Sequence, residues 1–157
     1  MKTLVVYYSR TNTTKKVSEK IAELAKCDIE ELIDTKDRTG AKGYIIAGKD
    51  ALTKQLTILE PVTKNASQYD LIILSTPVWA YTMCPAIRTY IEQNKDDFKS
   101  VAFLCTMGGS GDKSTFEAMT EICYKNPRAT LALKTKEIMQ DEYKEKLKEF
   151  LKQLQLI

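Results

Sequence analysis

The sequence predicts an α/β protein of three layers, in which a five-stranded parallel sheet lies between two layers of helices. Short apolar runs alternate along the chain with amphipathic helical patterns, which is typical of a parallel sheet with helices on both faces. The chain has 157 residues, of which 43% are apolar and 29% charged. This length and composition suit one domain, and we expect residues 1–157 to form it.

The first third of the chain begins with a strand, followed by a helix and a second strand. Residues Thr3–Tyr8 form a continuous apolar run, typical of a strand that is buried on both faces. Apolar residues between Val17 and Ala25 recur at helical spacing. Asp28–Ile33 is expected to be a short strand. Three glycines interrupt the stretch that follows, where a weak pattern predicts a helix near residues 43–56.

Three strands and three helices are predicted in the rest of the chain. The strands are the apolar runs Tyr69–Thr76, Val101–Cys105 and Ala129–Leu133. One helix begins near Pro85, because proline is tolerated in the first turn of a helix. The second is expected to open at Ser114, which forms a capping-box pattern with Glu117. The third begins at about Asp141 and has one apolar and one charged face.

The composition excludes several classes of function. The chain has no histidine, which excludes serine–histidine and cysteine–histidine nucleophile pairs and imidazole metal sites. Its four cysteines form no CxxC motif, so we interpret them as reduced packing thiols. A net charge of +3, without a basic stripe, does not indicate nucleic-acid binding. No apolar run suits a signal peptide or a membrane span, so we expect a cytoplasmic protein without nucleic-acid or membrane partners.

The loop after the first strand has the composition of a phosphate site. In a doubly wound sheet, ligands bind beyond the carboxyl ends of the strands, where this loop lies. The loop carries four hydroxyl side chains and precedes a helix, whose first backbone amides and dipole favour an anion. Its candidate residues are Ser9, Arg10, Thr11, Asn12, Thr13 and Thr14. The alternative is a polar loop that only caps the helix. No P-loop or GxGxxG motif is present.

Two later loops at the same edge of the sheet carry residues suited to a planar ligand. The loop after the third strand contains Trp79, the only tryptophan, and Tyr81, and either ring can stack on a ligand. In the alternative interpretation Trp79 only closes the core. Glycines after the fourth strand let the backbone approach a flat ligand closely, although a flexible turn is the alternative. The candidate residues are Thr76, Pro77, Val78, Trp79, Ala80 and Tyr81 in one loop and Thr106, Met107, Gly108, Gly109, Ser110, Gly111 and Asp112 in the other.

The three loops together resemble those of the flavodoxin family, and the resemblance covers nearly the whole chain. The family's phosphate loop has the form Ser/Thr-x-Thr-Gly-x-Thr, which Ser9–Thr14 matches except that Asn12 stands where glycine is usual. Asparagine tolerates left-handed backbone angles better than most residues do. The segment Thr76–Met83 resembles the family's second flavin loop, in which an aromatic residue lies against the isoalloxazine ring. The resemblance implies the flavodoxin-like fold of short-chain flavodoxins, with a sheet of order 2-1-3-4-5.

By this resemblance the ligand is FMN. Its phosphate is expected in the Ser9–Thr14 loop, and Trp79 or Tyr81 is expected against the flavin. Residues 76–81 and 106–112 are expected around the ring. FAD is not expected, because nothing in the sequence suits an adenine. No metal and no catalytic side chain are implied, since the bound cofactor carries the chemistry.

The resemblance implies a redox protein that transfers electrons through bound FMN to a redox partner protein or a small-molecule electron acceptor. Many flavodoxins are strongly acidic, whereas this chain is slightly basic. The third loop also lacks the tyrosine that covers the second flavin face in many of them, and Tyr44 is the alternative cover. An open face suits a flavodoxin-like NAD(P)H:quinone or FMN reductase acting on a small acceptor. A further alternative is a module that has lost its flavin.

Overall fold

The computed structural model describes all residues, 1–157, and contains six strands, six α-helices and two 3-10 turns. The strands are β1 Thr3–Tyr7, β2 Asp28–Glu31, β3 Leu71–Trp79, β4 Thr82–Met83, β5 Val101–Met107 and β6 Thr130–Lys134. The helices are α1 Thr13–Ala25, α2 Gly40–Leu52, α3 Pro85–Asn94, α4 Asp112–Cys123, α5 Thr135–Met139 and α6 Lys144–Gln153. The 3-10 turns are Ala66–Gln68 and Lys95–Asp97. None of the helices combines the length and hydropathy that a membrane span needs.

Five parallel strands form a sheet of order β2-β1-β3-β5-β6, and the short β4 pairs antiparallel with the end of β3 as a hairpin. Without β4 in the count this is the order 2-1-3-4-5, so the predicted flavodoxin-like α/β/α fold is confirmed. The strand order reverses at β1, which has β2 on one side and β3 on the other. A crevice is therefore expected beyond the carboxyl ends of β1 and β3.

The central strands are buried on both faces, and alternate residues enter two separate cores. Leu4, Ile72 and Phe103 pack with α3 and α4 on one face of the sheet. Val5 and Leu104 pack with α1 and α6 on the other face. Helix α2 lies on the α3 side and contacts β3 and β4. Burial on both faces explains why each central strand reads as a continuous apolar run in the sequence.

The structure corrects several predicted boundaries. Strand β3 continues to Trp79 and β5 continues to Met107, because their last residues still pair with neighbouring strands. Helix α2 begins and ends three to four residues earlier than the predicted range 43–56. The last helix begins at Lys144 rather than at about Asp141, whose φ of 57° is incompatible with a continuing helix. The short helix α5 was not predicted.

The predicted capping box at Ser114 is wrong. Helix α4 begins at Asp112, after Gly111 with a φ of 107°, and glycine adopts such an angle without steric cost. Ser114 lies inside the helix, where its Oγ donates a hydrogen bond to the carbonyl oxygen of Tyr81 at 2.6 Å. The backbone freedom of Gly111 therefore starts the helix, and the Ser114 hydroxyl holds the β3–β4 hairpin.

Candidate functional site

A cavity of about 430 Å³ lies beyond the carboxyl ends of β1, β3 and β5. Its walls come from the β1–α1 loop, helix α2, the end of β3 with its turn, the end of β5, and the start of α5. The lining residues are Ser9, Arg10, Thr11, Thr13, Thr14, Tyr44, Ala47, Gly48, Pro77, Val78, Trp79, Ala80, Thr106, Met107, Gly108 and Thr135. Its volume lies within the range of roughly 300–1,000 Å³ that is usual for small-molecule sites. The cavity occupies the crevice that the sheet order predicts.

The loop between β1 and α1 forms one end of the cavity. Asn12 directly precedes α1 with a φ of 65°, so the asparagine adopts the left-handed conformation for which glycine is usual. The first residues of α1, Thr13 and Thr14, have backbone N–H groups without partners inside the helix. The Oγ atom of Ser9 is buried and makes no hydrogen bond. A buried hydroxyl without a hydrogen bond destabilises the folded protein unless a ligand or a water molecule supplies the missing partner.

Three hydrogen bonds tie this loop to its surroundings. The Oγ1 atoms of Thr14 and Thr106 lie 2.8 Å apart and join the start of α1 to the end of β5. The guanidinium of Arg10 donates to the carbonyl oxygens of Arg38 at 2.7 Å and Gly40 at 2.9 Å, and it lies 5.6 Å from the Tyr44 ring centroid. Arg10 thereby connects the loop to the segment that leads into α2.

The indole of Trp79 forms part of the wall contributed by β3. Its ring meets the Tyr8 ring edge-on, with centroids 5.4 Å apart. The guanidinium carbon of Arg38 lies 5.6 Å from the indole centroid. These two contacts limit the orientations of the indole, which also packs against the core on the α3 side. Trp79 therefore lines the cavity and also packs against the core.

Tyr81 lies outside the cavity. It follows Ala80 in the β3–β4 turn, where the φ angles are 48° and 63°, and two consecutive left-handed non-glycine residues are uncommon. The turn is held by the Ser114 hydrogen bond and by a close approach to α4. A Cβ atom on Gly111 would lie 2.7 Å from Cγ1 of Val78. The Tyr81 side chain is 68% exposed.

A buried ion cluster lies behind Trp79. Arg38 donates from Nε to Oδ2 of Asp34 at 2.7 Å and from Nη1 to Oδ2 of Asp50 at 2.9 Å. Lys36 Nζ also donates to Asp50, at 2.6 Å, and the Thr57 hydroxyl donates to Asp34 at 2.6 Å. The side chains of Arg38 and Asp34 are each only 2% exposed. The cluster holds the β2–α2 connection, helix α2 and the returning chain as one unit.

The charge state of Asp50 follows from this geometry. Burial acts to raise its pKa, but hydrogen bonds from Lys36 and Arg38 outweigh that effect and hold the pKa below its ordinary value. Asp50 is therefore a carboxylate at neutral pH, and it compensates the buried guanidinium.

Twelve of the nineteen candidate residues named from the sequence line the cavity, and seven do not. The seven are Asn12, Thr76, Tyr81, Gly109, Ser110, Gly111 and Asp112. Thr76 is fully buried and its Oγ1 accepts a hydrogen bond from the backbone N–H of Cys84 at 3.1 Å. Asn12 and Gly111 precede helices, and Asp112 begins α4.

The cysteines beside the cavity are free and buried. Burial raises the pKa of the Cys84 thiol to about 11 and that of the Cys105 thiol to about 12. Both are neutral thiols at physiological pH and neither lines the cavity. Their environment supports the interpretation of them as packing residues.

Sequence reasoning missed three lining residues, namely Ala47, Gly48 and Thr135. Two of them lie on α2, whose pattern is weak because its apolar residues are partly exposed. It also missed Arg38, since charged residues are rarely buried and their local sequence gives no sign of burial. The sequence indicated Tyr44 only as an aromatic residue that could cover a second ligand face. In the structure Tyr44 lines the cavity.

Comparisons with known proteins agree with this fold. A family profile described as flavodoxin matches residues 2–154. A sequence comparison with curated proteins finds no significant match. A flavoprotein from Lactobacillus acidophilus, crystallised in complex with FMN, is 27% identical with a TM-score of 0.68, covering 88% of this chain and 97% of that one.

Two solved structures of lower sequence identity share the fold. A protein assigned as a flavoprotein from Bacteroides uniformis is 23% identical, with a TM-score of 0.74, covering 88% of this chain and 96% of that one. Megasphaera elsdenii flavodoxin is 15% identical with a TM-score of 0.55, covering 83% of this chain and 85% of that one. The profile match over nearly the whole length, together with the sheet order, identifies this chain as a member of the flavodoxin family.

Proposed function

We propose that the chain binds FMN in this cavity and transfers electrons through it. The observation that carries the proposal is the buried, unpaired Oγ of Ser9 in the β1–α1 loop, in a cavity that Trp79 also lines. A phosphate group accepts hydrogen bonds from hydroxyls and from the free amides of a helix N-terminus. The Lactobacillus acidophilus relative, which was crystallised with FMN, supports the same cofactor here.

The proposed contacts follow the walls of the cavity. Ser9, Thr11 and Thr13 provide hydroxyls for the phosphate, with the first amides of α1. Trp79 and Tyr44 provide aromatic surfaces for the flavin ring from β3 and α2 respectively. The backbone at the ends of β3 and β5 borders the ring. The sequence-based candidates that lie outside the cavity are proposed to hold these segments in place.

The lining of the cavity favours an electron carrier. Arg10 is the only charged side chain among the lining residues, and no carboxylate, cysteine or lysine is present there. Bound FMN would supply the one- and two-electron chemistry, while the chain binds the cofactor and limits its access to water. A carrier needs no side chain that moves a proton to a substrate.

The alternative is an NAD(P)H:quinone or FMN reductase of the same fold. The observation that favours it is the 70% exposure of Tyr44, which leaves the α2 side of the cavity open to solvent. Sustained oxidation of NAD(P)H by the FMN-loaded protein with a quinone would establish the reductase. Electron exchange with a redox protein, without reduction by NAD(P)H, would establish the carrier.

Titration of the apoprotein with FMN and with riboflavin tests the cofactor site. We expect FMN to bind roughly a hundredfold to ten-thousandfold more tightly, because two hydrogen bonds to a charged group contribute about 1.5–3 kcal/mol each. The emission of Trp79, the only tryptophan, reports ring binding and should be strongly quenched at saturation. Equal affinities for the two ligands contradict the phosphate site. Undiminished emission contradicts the position of the ring.

A further inference from the structure

The outward face of helix α2 combines exposed apolar side chains with lysines. Lys42, Ile45, Lys49 and Leu52 follow one another at helical spacing, so they form one stripe along the helix. Ile45 is 70% exposed and Leu52 is 69% exposed. Of the twelve large apolar residues that are exposed in the whole molecule, seven lie between Ile33 and Val62. Exposed apolar side chains are thus concentrated in the segment that contains α2, and exposed apolar surface of this kind is a feature of interaction sites.

The charges of this stripe have no compensation within the molecule. Every ion pair formed within residues 34–60 involves Lys36 or Arg38, which bind Asp34 and Asp50. Asp50, the only acidic residue of α2, is turned inward into that buried cluster. The outward face of α2 therefore presents positive charge only, next to apolar surface.

The stripe adjoins the cavity. Tyr44 and Gly48 line the cavity from α2 and are neighbours of Ile45 and Lys49 in the helix. A protein bound to the stripe would lie at the open side of the cavity, close to any ligand bound there. If the cavity binds FMN, as the proposed function states, a redox partner must dock at this position to exchange electrons with it.

We propose that the α2 stripe, residues Lys42, Ile45, Lys49 and Leu52, docks an acidic redox protein whose carboxylates surround an apolar patch. A second copy of this chain fits poorly, since a twofold contact would set the lysines of one copy against those of the other. A membrane surface also fits poorly. The lysines alternate with the apolar residues along the same face, whereas membrane-surface helices separate the two on opposite faces.

The test uses two redox proteins of opposite charge as probes, an acidic plant-type ferredoxin and the basic cytochrome c. Binding is measured by calorimetry with the apoprotein and again with the FMN-loaded protein. We expect the ferredoxin to bind both forms more tightly than cytochrome c does at low ionic strength. The preference should weaken as salt rises toward about 0.15 M, where screening shortens the reach of surface charges.

Two charge-reversed variants localise the contact. Lys42→Glu with Lys49→Glu should weaken ferredoxin binding by roughly tenfold or more, because each change replaces an attraction with a repulsion. The matched control reverses Lys148 and Lys152, exposed on α6 at the opposite face of the sheet. An equal loss in both variants would mean non-specific attraction and overturns the proposal. Absence of ferredoxin binding, or binding of the stripe to phosphatidylserine vesicles instead, also overturns it.

The two proposals fail separately. FMN binding by each variant is followed through Trp79 emission, and it should be unchanged in both, because neither variant alters a residue that lines the cavity. Ferredoxin binding to the apoprotein does not depend on the cofactor. If the unmodified chain does not bind FMN, the proposed cofactor site is refuted. Docking of ferredoxin to the apoprotein can still be measured in that case.

Discussion

The guanidinium carbon of Arg38 lies 5.6 Å from the centroid of the Trp79 ring, within the range of a cation–π contact. The same guanidinium pairs with Asp34 and Asp50, and the carbonyl oxygen of Arg38 accepts a hydrogen bond from Arg10. Arg38 thus connects the phosphate-loop candidate, helix α2 and the aromatic wall of the cavity. Its loss is expected to disturb all three.

Arg38→Gln should destabilise the protein by about 3–5 kcal/mol, because it removes the buried cation that pairs with the carboxylates of Asp34 and Asp50. Urea unfolding followed by circular dichroism measures the change in free energy. Arg128→Gln is the control, since Arg128 is exposed and forms no ion pair with a carboxylate. Similar losses of stability in the two variants would show that the cluster contributes nothing beyond an ordinary surface arginine.

The stability of the protein should depend on pH through Asp50. Hydrogen bonds from Lys36 and Arg38 outweigh burial and hold its folded-state pKa below the ordinary value. A depressed pKa contributes stability that is complete above the unfolded-state pKa and is lost as the pH falls through the folded-state pKa. The loss therefore lies below about pH 4.

Asp50→Asn isolates this contribution. The variant should be less stable than the parent at pH 7, and the difference should shrink at about pH 3, where the parent loses its charge-dependent stability. Free energies of unfolding at the two pH values measure this. A difference that stays constant between them would contradict the assignment to Asp50.

Gly43→Ala should displace α2 or prevent its packing. A Cβ atom there would lie 2.1 Å from the carbonyl carbon of Arg38, which is backbone and cannot rotate away. We expect a loss of about 1–3 kcal/mol, typical of overpacking. Gly48→Ala in the same helix is the control, because its Cβ meets nothing within 4 Å, and it should stabilise the helix by about 0.5–1 kcal/mol. Thermal unfolding of both variants distinguishes these outcomes.

Ser9→Ala should weaken FMN binding by about 1.5–3 kcal/mol and leave riboflavin binding almost unchanged, since only FMN offers a charged acceptor. Ser18→Ala is the matched control: its Oγ is also buried and unpaired, but it lies within α1 and does not line the cavity. Fluorescence titration of both variants measures the difference. If the two variants lose the same affinity, or neither loses any, Ser9 does not contact the phosphate.

The sequence by itself determined the layered α/β fold, because strands that are buried on both faces must be apolar throughout and helices that cover a sheet must be amphipathic. It also located the β1–α1 loop as a candidate phosphate site, because the hydroxyls of the loop and the helix that follows are adjacent in the sequence. Family resemblance then supplied the strand order. These features depend on short segments, where residue type and conformation are closely coupled.

Only the tertiary structure decided which residues meet. The burial of Arg38 depends on Asp34 and Asp50 arriving from two different segments, and no local pattern shows that three charges will compensate one another. Gly111 precedes α4 with a left-handed φ, and Val78 and Tyr81 leave no room there for a side chain, so the capping pattern of Ser114 was misleading. Tyr44 reaches the cavity, while Ile45 beside it faces solvent, because contacts between α2 and β3 set the rotation of a helix whose own apolar pattern is too weak to do so.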